Sequence, residues 1–98
     1  MRTATTSNEN RRERRLKVFI RGSVQCGAER YNAHLLDVSK SGAQVYCDAD
    51  IGSGAFVIIE CAGVSRAARC VRSGANRIGL KFTLPLSAND LAQLIEQH

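Results

Sequence analysis

The sequence contains no tryptophan, and its aromatic residues are few: three Phe and two Tyr. Binders of single-stranded nucleic acid hold successive bases on aromatic platforms, so this scarcity argues against that class. No Cys-x-x-Cys pair is present; the four cysteines stand singly at 26, 47, 61 and 70. The two histidines, His34 and His98, are not spaced as partners. Structural zinc sites are built from short local ligand pairs, so no metal site is expected. No Ser/His/Asp arrangement or carboxylate pair can be assembled, which leaves catalysis without a candidate residue; no cofactor is expected. The stretch Ile51-Gly52-Ser53-Gly54 is too short for a phosphate loop and lacks a lysine. The longest uncharged apolar run, residues 51–59, falls far short of the ~20 residues that cross a bilayer. The N-terminal MRTATTSNENRRERR has no apolar stretch of the kind a secretory signal needs. These absences point to a cytoplasmic protein without membrane insertion, whose thiols stay free rather than form a disulfide framework.

What is present suits one small domain. The chain has 98 residues, 44% of them hydrophobic, enough for a modest core and too many for a disordered chain. Its net charge of +5 is unevenly placed. Residues 1–17 hold six basic groups against two acidic ones, a net of +4, and the remainder holds eight against seven. The basicity thus belongs to an N-terminal arm on a near-neutral body. Residues 1–10 are small and polar and are expected to form a flexible tail.

The body reads as strands followed by one helix. Leu16, Val18, Ile20, Gly22, Val24 and Cys26 alternate with Lys17, Phe19, Arg21, Ser23 and Gln25, the pattern of a strand with one buried face. Gly22 in its middle suggests a bulge or bend. Further strands are expected at about 31–38, 43–47, 55–61, 64–72 and 78–82, with turns at 27–29, 62–63 and 73–76 and a loop at 48–54. Pro85 stops the last strand. Ser87 and Asp90 resemble a capping box, and Ala88, Leu91, Leu94 and Ile95 then recur at helical spacing. Six short strands and a terminal helix predict an all-β fold: a six-stranded antiparallel β-barrel with a short C-terminal α-helix. The expected division is a tail at 1–10 and a domain at 11–98, with an arginine arm at 11–15, the barrel at 16–84 and the helix at 87–97.

Two constellations stand out. Arg11 and Arg15 form R-x-x-x-R where the arm enters the first strand. Asp37-Val38-Ser39-Lys40-Ser41-Gly42 forms D-x-S-x-x-G between the second and third strands. The second spacing would arise by chance in a chain of this length roughly a few per cent of the time. Taken in this order, and followed by NRIGLKF at 76–82, they resemble the PilZ domain over about residues 9–83. That resemblance implies a six-stranded barrel that binds the bacterial second messenger cyclic di-GMP. It places Arg11, Arg15, Asp37, Ser39 and Gly42 at ligand positions, with Arg12 as a further candidate. Asn10 stands where many members carry another arginine. Outputs of the family include flagellar motility, exopolysaccharide synthesis and virulence.

The residue types suit such a ligand. An arginine fork pairs bidentately with a phosphate or with O6 and N7 of a guanine. An ionised aspartate accepts the guanine N1 and N2 hydrogens, and a serine hydroxyl both donates and accepts. A glycine permits positive φ and a close backbone approach. Other readings of the same residues stay open: a solvated basic arm, and Asp37 and Ser39 as turn-formers bonding their own backbone. His34 reads as a half-exposed strand residue. The expected function is a cyclic di-GMP receptor that signals to a downstream protein partner by ordering its arm. The alternatives are a ligand-independent adaptor on the same fold and a small basic barrel that binds single-stranded nucleic acid; no specific nucleic-acid partner is expected.

Overall fold

Inward and outward side chains alternate through six strands. The computed structural model, which describes residues 14–96, closes these strands into one antiparallel barrel. The strands are β1 (Leu16–Cys26), β2 (Glu29–Val38), β3 (Gly42–Cys47), β4 (Phe56–Cys61), β5 (Val64–Gly74) and β6 (Arg77–Phe82). A helix, α1 (Ala88–Glu96), comes after them. Around the barrel the order is β1-β2-β3-β6-β5-β4, so every strand has two neighbours and closure removes the sheet edges. Val24, Val38, Val45, Cys47, Ala68 and Cys70 are completely buried at its centre. The expected fold class is the one observed, with α1 starting one residue later than the sequence suggests. Residues 1–10, Arg11, Arg12 and the expected helix end at 97 lie outside the described residues.

Three hairpins have two-residue loops. Gly27 takes φ 63° between Cys26 and its partner Glu29. Ala62 and Gly63 take φ 52° and 83°, and Ala75 and Asn76 take 52° and 63°. Positive φ at both central residues of the last two loops, and at the first central residue of Gly27-Ala28, matches the right-handed twist of the flanking strands, which is why hairpins prefer such turns. The expected four-residue turn at 73–76 is therefore only Ala75-Asn76. β5 runs on to Gly74, and the Asn76 carbonyl accepts the Cys47 N–H at 2.8 Å.

Gly22 does not mark a bulge. The β1–β2 ladder shifts between Lys17 and Ile20 instead. Gly22 is the residue at which β4 begins to pair with β1, opposite Cys61, and a β-carbon there would collide with the Glu60 carbonyl oxygen. The glycine admits the close crossing that closes the barrel.

The helix starts as its sequence suggests, with one difference. Ser87 Oγ accepts the Asp90 N–H at 3.0 Å. The Asp90 carboxylate does not return to the cap; it pairs with Arg66 of β5. Leu94 is buried and Leu91 partly so, whereas Ala88 and Ile95 are exposed. The packed stripe is thus narrower than the periodicity implies. Leu94 shares a small cavity lining with Leu35, Ile59, Cys61, Val64, Phe82 and Leu86, so α1 plugs one mouth of the barrel.

All four cysteines are free, and Cys47, Cys61 and Cys70 are buried. Cys61 Sγ lies 3.5 Å from the Arg21 carbonyl, and burial pushes its thiol from an ordinary pKa of 9.0 up to about 11. A thiol whose pKa rises on folding favours the folded state below pH 9; that advantage is lost as the pH climbs toward 11. In urea titrations the loss of stability between pH 9 and pH 11 should be smaller in Cys61→Ala than in the wild type. An equal loss in both would contradict the assignment.

Gly42 generates a second prediction. It is not among the glycines at positive φ, and a β-carbon on it would collide with the Leu80 carbonyl of β6. Gly52 has open space around it. Gly42→Ala should cost about 1–3 kcal/mol through overpacking, and Gly52→Ala no more than about 0.5 kcal/mol, both measured by chemical denaturation. Equal costs would show that the β3–β6 approach is not what requires Gly42.

Candidate functional site

The site begins with a break in the side-chain alternation of β2. Ala33 and Leu35 point into the core, and strict period two would send Asp37 inward after them. The ladder to β3 skips one residue: Leu35 pairs with Val45, Asp37 with Gln44 and Val38 with Ala43, leaving Leu36 extra. On the other side, residues 18 and 19 of β1 face residue 36 alone. A bulge of this kind re-aims the side chains beyond it. Asp37 turns to the outer face, and Val38 returns to the core at 0% exposure.

Arg15 precedes β1 directly, beside Leu16 and Lys17, which pair with Val38 and Asp37. Its Nη1 donates to Asp37 Oδ1 at 3.4 Å. The arginine side chain is 64% exposed and the aspartate side chain only 18%. Asp37 sits within β2, inside the strand expected at 31–38, and is mostly covered rather than exposed at the turn, because the bulge keeps the strand paired through Val38. The chain also joins the barrel immediately after Arg15, since Leu16 and Lys17 are already in the ladder.

Residues 39–41 then reverse the chain. The Ser39 N–H donates to the Gly42 carbonyl at 2.8 Å, and the Gly42 N–H donates to Ser39 Oγ at 3.3 Å. The Ser39 hydroxyl also lies 3.3 Å from the Gly42 carbonyl that it can donate to. At 5% exposure Ser39 is the one buried polar residue among those described. Its placement matches the turn-former chemistry of a serine bonding local backbone. Two further bonds tie the turn to the end of β6 and beyond: Phe82 N–H to the Ser41 carbonyl, and Leu86 N–H to the Lys40 carbonyl, both 2.8 Å. Lys40 itself is exposed at the tip.

The structure thus brings Arg15, Asp37, Ser39 and Gly42 together around one turn, while Arg11 and Arg12 lie outside the described residues. It adds a neighbour that motif reasoning missed. Phe19, two residues along β1 from Lys17, is 65% exposed and stacks on His34 with ring centroids 4.6 Å apart and planes 11° from parallel. His34 is half-buried, as expected for a strand residue. The signal for Phe19 was a large aromatic at an outward position of an alternating strand. Chemically, the region offers a guanidinium fork, a carboxylate acceptor and a flat ring surface within a few residues of one another. Among the described residues no group of His, Cys, Asp or Glu could hold a metal ion. Among them, no helix is long and apolar enough to cross a membrane.

Comparisons with known proteins agree with the barrel fold. A family model described as the PilZ domain matches residues 9–97. The fold is similar to that of a crystal structure of the PilZ domain of CeSA from a cellulose-synthesizing bacterium, with a TM-score of 0.63 and 22% sequence identity. That alignment covers 85% of this chain and 92% of the other. No curated protein matches the chain significantly.

The Arg15–Asp37 pair is one-sided in exposure, so solvent screens it, and exposed pairs contribute about 0–1 kcal/mol. A double-mutant cycle with Arg15→Ala and Asp37→Ala should give a coupling in the stability of at most about 1 kcal/mol. A coupling well above that would make the pair a structural element of the barrel rather than a surface available to a ligand.

Proposed function

The chain belongs to the PilZ domain family, a family of cyclic di-GMP receptors, and from that premise we propose that it binds cyclic di-GMP on the outer face where Arg15, Asp37 and the Ser39–Gly42 turn meet. The observation that carries this reading is the Leu36 bulge, which turns Asp37 out of the core beside Arg15. In this reading Arg11 and Arg15, with Arg12 nearby, supply forks for the phosphates or the Hoogsteen edge of a guanine. Asp37 accepts the guanine N1 and N2 hydrogens. Ser39 and Gly42 act chiefly by holding the turn in shape, so the ligand meets its backbone. The domain spans residues 11–98 behind a tail at 1–10, is cytoplasmic, and performs no catalysis itself.

Binding is proposed to order the arm. Residues 1–17 carry a net of +4, and a dianionic ligand would neutralise part of that charge and draw Arg11 toward the turn. An order–disorder change of this kind presents a new surface to a partner protein. A second reading, a ligand-independent adaptor, is favoured by two features: Arg15 and Asp37 already pair with each other, and Ser39 already bonds its own turn.

Calorimetry separates the two. The domain should bind cyclic di-GMP in preference to cyclic di-AMP and GTP. Loss of one charge-assisted bond worth about 1.5–3 kcal/mol should make Arg15→Ala bind roughly 10- to 150-fold more weakly. No heat with cyclic di-GMP would favour the adaptor, and a loss under about threefold in Arg15→Ala would remove Arg15 from the site. Tighter binding of a single-stranded oligonucleotide would favour a nucleic-acid barrel.

A further inference from the structure

The near-neutral body is not neutral on every side. β3 has no charged residue, β5 has three arginines and no acid, and β6 has Arg77 and Lys81 and no acid. Arg66 is held by Asp90 of α1, and Arg77 shares a cavity lining with Asp48 and Asp50. Arg69, Arg72 and Lys81 remain. The ion pairs among the described residues are Arg15–Asp37, Arg30–Glu60 and Arg66–Asp90, and none uses those three.

The three cations share one outer face. Arg69 pairs directly with Lys81 across β5 and β6, and on the far side Phe56 of β4 pairs with Arg69. A shift in the β5–β6 ladder between Cys70 and Arg72 makes Val71 extra. Val71 and Arg72 then both lie over Gly79, with Arg72 Cβ 3.4 Å and Val71 Cγ2 3.9 Å from where a β-carbon on Gly79 would stand. Apolar side chains are interleaved with the charges: Phe56 is 70% exposed, Val71 48% and Leu84 71%. A hollow of about 230 Å³ opens among Phe56, Arg69, Lys81, Phe82 and Thr83.

We propose that this face of β5 and β6 is a docking surface for an acidic segment of a partner protein that carries apolar anchor residues. An apolar side chain would enter the hollow beside Phe56, and carboxylates would meet Arg69, Arg72 and Lys81. Hydrophobic anchors with complementary charge around them are the anatomy of a specific protein interface. A second copy of the chain fits poorly, because a two-fold contact would set the same cations against one another. Single-stranded nucleic acid lacks its platform, since Phe56 is the one aromatic exposed in the patch. Strand addition does not reach Arg69 or Lys81, because β6 is paired along its length with β3 and β5, and β5 is bonded on both sides as far as Cys70. The surface borders the D-x-S-x-x-G turn: Lys81 pairs with Gly42, and Leu84 lies between Phe82 and Leu86, whose N–H groups bond the Ser41 and Lys40 carbonyls. The partner of the receptor reading thereby gains a chemistry, and the claim rests on that reading only for the partner's existence.

Peptide display tests it. A random library is selected on the folded domain, once alone and once saturated with cyclic di-GMP, with Arg69→Glu/Lys81→Glu as the counter-target. Ligand binding is read separately by calorimetry, so failure of one claim is distinct from failure of the other. Selected peptides should be enriched in Asp or Glu together with Leu, Phe or Trp. They should shift the amides of Arg69, Val71, Arg72 and Lys81, and bind the double variant on the order of tenfold more weakly. Both substituted residues are exposed, so the variant should melt within a few degrees of wild type; Phe56→Ser, which leaves the charges in place, should weaken the same peptides independently. Equal recovery on wild type and variant in both conditions, peptides without acidic residues, or tighter binding of a single-stranded oligonucleotide to the same amides would overturn the proposal.

Discussion

Val38 belongs in the core and Asp37 outside it, yet Leu35 is also in the core. An unbroken strand cannot satisfy all three, because successive side chains point to opposite faces. The extra residue Leu36 resolves the conflict, and the rest of the site depends on it. It keeps Val38 buried, which holds β2 in the ladder to its last residue. It presents Asp37 to Arg15 on the outside. It also places Ser39 under the turn, where the hydroxyl closes the reversal onto Gly42. Gly42 then lies against the Leu80 carbonyl, so the turn is pinned to β6 by an approach that no larger residue permits.

The same pinning explains how two faces of one small barrel stand next to each other. The carbonyls of Lys40 and Ser41 accept from Leu86 and Phe82. One side of the turn looks toward Arg15 and Asp37, and the other leads through Lys81 to Arg69. In a chain of 98 residues the core is modest and one layer of backbone separates surfaces. A ligand seated at the turn and a protein seated on β5 and β6 would therefore be neighbours joined by a few backbone hydrogen bonds, with no long path between them.

Much of this architecture was legible in the residues. Alternation at 16–26 and 78–82, the Ser87 cap and the helical spacing of Leu91 and Leu94 specified the barrel and its plug. The features that escaped are those in which a tertiary contact overrides a local pattern. The adjacent leucines at 35 and 36 contain the bulge, but only the demands of β1 and β3 on either side decide which of them is extra. Gly22 and Gly42 read as bend and turn glycines, and each instead makes room for a carbonyl of a strand distant in sequence. Ala62 and Ala75 hold positive φ in tight hairpins, a conformation that composition would assign to glycine or asparagine. Charge distribution escaped for a related reason. The body is balanced when counted along the chain, whereas folding places its acids on β2, in the 48–50 loop, on β4 and on α1, and leaves β5 and β6 basic. The family motif was legible as a spacing; that Asp37 and Arg15 meet was not, because one lies in a strand and the other just before one, 22 residues apart.

In the proposed reading the bulge and the turn together create the ligand face. A titration of the ¹⁵N-labelled domain with cyclic di-GMP, followed amide by amide, tests this most directly. The largest shifts are expected at Arg15, Lys17, Asp37 and the 39–42 turn, with a smaller response at Phe19 and His34 and almost none at the Gly27-Ala28 and Ala75-Asn76 hairpins. Shifts concentrated at those hairpins, or spread evenly around the barrel, would contradict it.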